Sequence, residues 1–388
     1  MESLQRATVN ILKSAITGEP LPLPEDFDLE AAYPLLQAHQ MDTLLYEGAV
    51  RCGVPRSQPI MRQLMQRYCN VLLKSEAQMR QLQRVTTAFE ENGIDYMLLK
   101  GSKMKALYPK QELRNMSDAD VLIRMEQYDR IIPVMESLGF ERKIETDHEL
   151  VWQTKELFLE LHKRLIPTYN KDFYAYFGEG WQLAAPAAGH SFAMNPEDEF
   201  VYLFTHYAKH FRDGGIGCRH VVDLWVYLRA NPEMDQERVR RELEKLHLQE
   251  FYEYTCRILD VWFGDGETDA RVDFMTDFIF ASGSYGRMNK HLLSMAVRDS
   301  ENTTAAEGKF HYVLNMAFPA GEILRHKYTI LQKAPWMLPA VWVYRPFYKF
   351  FRERSDLERH KRNVDALTTE DMSEHKKMLN YMGLDYHF

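Results

Sequence analysis

The hydrophobic period changes from helical to strand-like at one dipeptide, Asn92-Gly93, and that switch constrains the fold more than any other feature of the chain. Upstream, Met61, Leu64, Met65, Tyr68, Leu72, Leu82, Val85 and Phe89 recur mostly at three- and four-residue steps, the stripe of one long amphipathic helix. A glycine just past a helix commonly closes it. Ile94 to Leu99 then forms an apolar run of strand length. Lys100-Gly101-Ser102 interrupts that run and offers an N-cap, so the spacing predicts a short helix over 103–108 that Pro109 stops. A further strand starts at about Asp118. Helical spacing returns over 126–138 and ends at Gly139, and 140–146, 148–154 and 157–163 read as three short strands. From Asn195-Pro196 the pattern is helical again, through Phe200, Leu203, Phe204, Tyr207, Val221, Leu224 and Leu228. This order predicts an α+β fold, a small mixed β-sheet flanked by helices with N-terminal and C-terminal helical regions. The expected units are 1–92, 93–190 and 191–388.

Composition excludes several classes of function. At 388 residues, 45% hydrophobic, the chain buries a sizeable core and is not a disordered segment. Its formal charge of -8 argues against a surface that grips nucleic acid along its whole length, because that binding rests on Lys and Arg neutralising phosphates. Cys52, Cys69, Cys218 and Cys256 form no CxxC pair, which disfavours a disulfide framework or zinc ribbon and suits a reducing cytoplasm. No apolar run approaches the roughly 18 to 20 residues needed to span a bilayer, and the N-terminus lacks a secretory pattern.

Three short patterns carry chemistry. Asp118-Ala119-Asp120 opens an apolar strand with two carboxylates on one face, a pair that either sits in solvent or holds a divalent ion. Oxygen ligands of this kind favour Mg²⁺ or Mn²⁺. In Leu157-Phe158-Leu159-Glu160-Leu161-His162 the leucines take one face and Glu160 the other, which offers a third acid as metal ligand or general base, with His162 in a lesser role. Gly101-Ser102, between a strand and a helix, lets backbone N–H groups approach a phosphate. Each pattern alone has a bland reading: a turn, a solvated strand end, an exposed strand acid.

Together they are more specific. Leu98-Leu99-Lys100-Gly101-Ser102, Tyr108-Pro109, Arg114 and Ser117-Asp118-Ala119-Asp120-Val121-Leu122 resemble the signature of the DNA polymerase β-like nucleotidyltransferase superfamily. More narrowly the set resembles a family of largely uncharacterised bacterial nucleotidyltransferases, which also shows an ELH strand, here Glu160-Leu161-His162, and later histidines followed by an aspartate, here His206, His210 and Asp223. The resemblance implies a nucleotidyltransferase fold and a nucleoside triphosphate bound by Lys100, Gly101, Ser102 and Arg114. It implies Mg²⁺ or Mn²⁺ held by Asp118, Asp120 and Glu160, with His162, His206, His210 and Asp223 as substrate contacts. The acceptor stays open between a small molecule and a protein, with RNA weakest on charge grounds. Two rivals share these motifs: a non-catalytic nucleotide-binding or interaction module, and a toxin–antitoxin component. All three acids are present, which favours the enzyme.

Secondary features have duller readings. His206 and His210 lie one helical turn apart but lack the glutamate of a zinc-protease motif, so a structural or substrate-contacting role is expected. Arg219 and Asp223 have the spacing of a pair along one helix, and Gly214-Gly215 and Gly217 suit a mobile loop. Trp336 to Arg354 mixes aromatic and basic residues, interrupted by Pro335, Pro339 and Pro346. Internal packing is expected there ahead of an interfacial helix or an RNA-contacting surface.

Overall fold

A computed structural model describes residues 3–283, 330–352 and 369–385, with isolated positions between 314 and 328. Four helices come first: α1 (Ser3–Thr17), α2 (Leu29–Ala38), α3 (Asp42–Arg51) and α4 (Pro59–Glu91). The 33-residue α4 is the long helix that the stripe predicts, and its Leu82, Val85 and Phe89 are fully buried. Asn92 caps it and Gly93, at φ +62°, turns the chain, a conformation that costs glycine little. Strand β1 (Tyr96–Leu99) follows, then α5 (Lys100–Met104), β2 (Asp118–Ile123), α6 (Tyr128–Ser137), β3 (Glu141–Glu145), β4 (Glu149–Gln153) and β5 (Phe158–His162).

The strands build one seven-stranded mixed sheet in the order β3-β4-β5-β2-β1-β7-β6. After α7 (Lys171–Phe177), its last two members, β6 (Ala184–Ala188) and β7 (Ser191–Met194), form a hairpin that pairs with β1. Sequence reading missed this hairpin. Ala-Ala-Pro-Ala-Ala lacks the branched and aromatic residues that mark strands, and its edge position is where a proline is tolerated. The α+β class with helices flanking a mixed sheet stands.

Alternation along the strands divides the sheet into two faces. Ala119, Val121, Ile123, Leu159 and Leu161 pack with Leu82, Val85 and Phe89 of α4 and Ile131, Val134 and Met135 of α6. Burying each of these larger apolar side chains contributes about 1.5–3 kcal/mol, enough to lock the register of β2 and β5. The opposite face therefore belongs to Asp118, Asp120, Glu160 and His162.

That second face is roofed by α8 (Pro196–Gly214) and α9 (Cys218–Ala230), which lead into α10 (Gln236–Lys245), α11 (Gln249–Phe263) and α12 (Ala270–Ser282). α8 begins as its sequence predicts, with Pro196 in the first turn and the Asn195 side chain accepting from the Asp198 N–H at 2.9 Å. Phe200, Phe204 and Phe211 of α8 enter an apolar core that also takes in Val9 and Ile11 of α1 and Leu44 of α3. The Arg6 guanidinium donates to the Val261 carbonyl at 2.8 Å, fastening α1 to α11.

Beyond α12, Leu338–Arg352 is one helix, so Pro346 does not break it and Pro339 sits in its first turn, where proline is tolerated. Val341 is buried with Leu324 and Leu331, but Trp336, Val343 and Tyr344 are exposed, against the expectation of internal packing. Arg354 lies outside the described residues. Among the described residues no helix is long and apolar enough to cross a membrane.

Candidate active site

The register of the central strands assembles the acids. β2 and β5 run parallel with Asp120 opposite Glu160 and Leu122 opposite His162, and β4 lies antiparallel to β5 with Glu149 opposite His162. Asp120, Glu160, His162 and Glu149 thus share one face. Ser102, in the short α5, accepts a hydrogen bond from the Asp120 N–H at 3.0 Å, which pins α5 against β2.

Asp120 is the electrostatic centre. Its Oδ1 receives Lys100 Nζ at 2.9 Å and faces His162 Nε2 at 2.8 Å. Burial opposes its charge, but Lys100 and His162 prevail and hold the carboxyl well below its ordinary range. Burial and Lys100 would lower His162, yet its hydrogen bonds to Asp120 and Glu160 raise it. Burial, then repulsion from Asp120 and Glu160, push Asp118 up to about 6. Lys100 lowers Asp118 too, but does not prevail.

The connection from β1 to β2 departs from expectation at its start. The helix begins at Lys100, not after Ser102, and a 3-10 turn, Lys105–Leu107, continues it. Lys100 itself occupies the left-handed region at φ +40°, an uncommon conformation for a residue with a Cβ. Gly101 has an ordinary backbone, and its requirement is close approach: a Cβ there would stand 2.8 Å from Arg114 Nη1. Arg114 cannot easily give way, because Asp223 of α9 accepts from its Nε at 3.2 Å and from its Nη2 at 2.9 Å. The Tyr108 hydroxyl donates to the same Asp223 carboxylate at 2.7 Å. The Asp223 carboxylate thus takes hydrogen bonds from Arg114 and Tyr108, while Arg219 Nη1, one turn earlier on α9, donates to Gln40.

These groups surround a cavity of about 860 Å³. Lys100, Gly101, Arg114, Asp118, Asp120 and Glu160 line its sheet side, with Ser102 buried behind the wall. From α8 come His206 and His210, their Nε2 atoms 3.0 Å apart, together with Lys209. Burial, aided by Lys100 and His210, holds His206 well below its ordinary value, and burial brings Lys209 down to about 8. His148, Glu149, Lys209 and His220 line the cavity without having been singled out in the sequence. Glu149 carried a signal only in its place opposite His162, which becomes visible once the β4–β5 register is known.

The donor set fits a divalent cation. One ligand atom each of Asp120, Glu160 and His162 lies within 4.8 Å of the other two. The repulsion that raises Asp118 marks an excess of negative charge that a cation relieves. A family model described as uncharacterised nucleotidyltransferase matches residues 25–264. No curated protein and no solved structure matches the chain.

Proposed function

The chain belongs to the uncharacterised nucleotidyltransferase family, and we propose that it moves a nucleoside monophosphate from a nucleoside triphosphate to an acceptor hydroxyl, as a member of the DNA polymerase β-like superfamily. This reading rests on the β2–β5 register, which sets Asp120 beside Glu160 on the face that α8 and α9 cover. Asp118, Asp120 and Glu160 are the residues to hold Mg²⁺ or Mn²⁺, and such an ion, when bound, neutralises phosphate charge and polarises the reacting phosphoryl group.

The protein's own groups supply the rest. Lys100 and Arg114 line the cavity with positive charge suited to a triphosphate. Gly101 leaves the wall without a side chain at its closest approach. The acceptor oxygen attacks the α-phosphorus while the bond to the oxygen bridging the β-phosphate breaks. Pyrophosphate leaves, and the acceptor's proton passes to Glu160 as general base. His162 orients both carboxylates, at 2.8 Å from Asp120 and 3.5 Å from Glu160. His206, His210 and Asp223, on the roof, contact nucleotide or acceptor.

The cavity lies within the range of about 300–1,000 Å³ usual for small-molecule sites, and together with the net negative charge this favours a small molecule or an inserted protein side chain over nucleic acid. The test is incubation with each labelled nucleoside triphosphate, Mg²⁺ or Mn²⁺ and a cell extract, followed by separation of protein, RNA and small-molecule fractions. Transfer of label above the level seen with Asp120→Asn supports the assignment. Triphosphate binding with no transferred label from any of the four would make the protein a non-catalytic binding module.

A further inference from the structure

Beside the acids lies a second group of ligand-type side chains, of which the proposed nucleotidyl transfer uses only His162. One ligand atom each of His148, Glu149 and His162 lies within 4.8 Å of the other two. The β4–β5 ladder sets Glu149 directly across from His162, and His148 immediately precedes it. All three line the cavity.

The orientation of His162 is that of a metal ligand. Its Nε2 faces Asp120 Oδ1 at 2.8 Å and its Nδ1 faces His148 Nε2 at 3.1 Å. A metal-bound imidazole commonly donates its other N–H to a carboxylate, which fixes the tautomer and makes the ligating nitrogen more basic. Asp120 fills that role: with the proton on Nε2, the Nδ1 lone pair points at His148. Two nitrogens each about 2.1 Å from one ion stand near this separation when they subtend close to a right angle. Among the described residues the other ring nitrogen of His148, Nδ1, is buried with no hydrogen-bond partner.

We propose that His148, Glu149 and His162 form a binding site for a divalent transition-metal ion, distinct from the Mg²⁺ or Mn²⁺ site proposed on Asp118, Asp120 and Glu160 and bordering it at His162. Two imidazoles and one carboxylate select ions such as Zn²⁺, Co²⁺ or Mn²⁺ over Mg²⁺, which prefers oxygen and keeps its waters. Asp120 then faces both sites, as the carboxylate behind His162 in one and a ligand in the other. The inference stands independently of the transfer reaction.

The experiment is titration of the full chain with Co²⁺ in a large excess of Mg²⁺, followed by visible absorption. One equivalent of Co²⁺ binds the wild type, and His148→Gln and Glu149→Gln each weaken it by at least about tenfold, the scale on which even outer-shell changes act. Glu160→Gln keeps the Co²⁺ band. Thermal melting guards against misfolding: Zn²⁺ raises the wild-type midpoint, and folded His148→Gln and Glu149→Gln show no such rise. Absence of Co²⁺ binding under excess Mg²⁺ overturns the proposal. So does a band lost in Glu160→Gln but kept in Glu149→Gln, which would put the ion on the acids. Failure of nucleotidyl transfer is read separately, from the labelled products.

Discussion

Arg114 and Asp223 meet in a two-pronged ion pair, Nε to Oδ1 at 3.2 Å and Nη2 to Oδ2 at 2.9 Å, that ties the segment before β2 to α9. Both side chains are about nine-tenths buried, so neither charge has water to fall back on. Asp223→Ala is expected to destabilise the protein by about 3–5 kcal/mol, because it strands the guanidinium. Arg114→Met combined with Asp223→Leu is expected to recover most of that loss, leaving chiefly the Tyr108 hydroxyl unpaired. Urea unfolding of the single and double variants checks this; a double variant no more stable than the single one would refute the account of a stranded charge.

Gly101 answers to the same ion pair. A methyl group there would press on Arg114 Nη1 at 2.8 Å, and Asp223 prevents the guanidinium from swinging aside. Gly101→Ala is expected to cost about 1–3 kcal/mol as overpacking and to weaken triphosphate binding by disturbing the wall of the cavity. In an Asp223→Asn background, where Arg114 is held less firmly, the stability cost of Gly101→Ala should shrink. Equal costs in both backgrounds would disconnect the glycine from the pair.

Much of this arrangement was legible from local sequence, because its determinants are local. The three- and four-residue steps of α4 and the Asn92-Gly93 stop required no tertiary knowledge. The alternation of Leu157, Leu159 and Leu161 against Glu160 and His162 separated core from site face, and β5 keeps that division. Non-local facts were out of reach. Glu149 joins the site through strand register, His148 through a contact across the open end of the β4–β5 hairpin, and Lys209 and His220 through the docking of α8 and α9. The left-handed backbone at Lys100 was invisible too, since the glycine beside it is the residue that ordinarily takes such a conformation.

Asp118 gives a pH-dependent test. Burial, then repulsion from Asp120 and Glu160, raise its carboxyl to about 6, so the folded protein holds that proton more tightly than the unfolded chain does. The stability from this group is present at low pH and is lost as pH rises from about 4 through 6. In metal-free protein, Asp118→Asn should match the wild type near pH 4 and exceed it at pH 7 by on the order of 1 kcal/mol, allowing for screening at its partly exposed edge. Saturating Mg²⁺ should close the gap at pH 7, since a bound cation offsets the repulsion. Urea midpoints at the two pH values, with and without Mg²⁺, decide it; a variant less stable than the metal-free wild type at pH 7 would contradict the assigned repulsion.

Lys100 combines a charge and a strained backbone that can be separated by mutation. Its ammonium sits 2.9 Å from Asp120 while its φ of +40° lies where only glycine is comfortable. Lys100→Met removes the charge and keeps the strain, whereas Lys100→Gly removes both. Each variant uncovers the Asp120 carboxylate, so that penalty cancels between them and the backbone difference remains. Left-handed geometry costs a residue with a Cβ about 1–2 kcal/mol, and glycine's larger unfolded-state entropy takes back about 0.4–1 kcal/mol. Lys100→Gly is therefore expected to be the more stable of the two by about 1 kcal/mol. Both should bind triphosphate at least about tenfold more weakly, because a charge-assisted contact of about 1.5–3 kcal/mol is gone from each. Triphosphate affinity and urea stability measured on the same pair separate the two roles: a glycine variant that restores affinity would assign Lys100 a purely conformational part, and a methionine variant as stable as the glycine one would remove the strain.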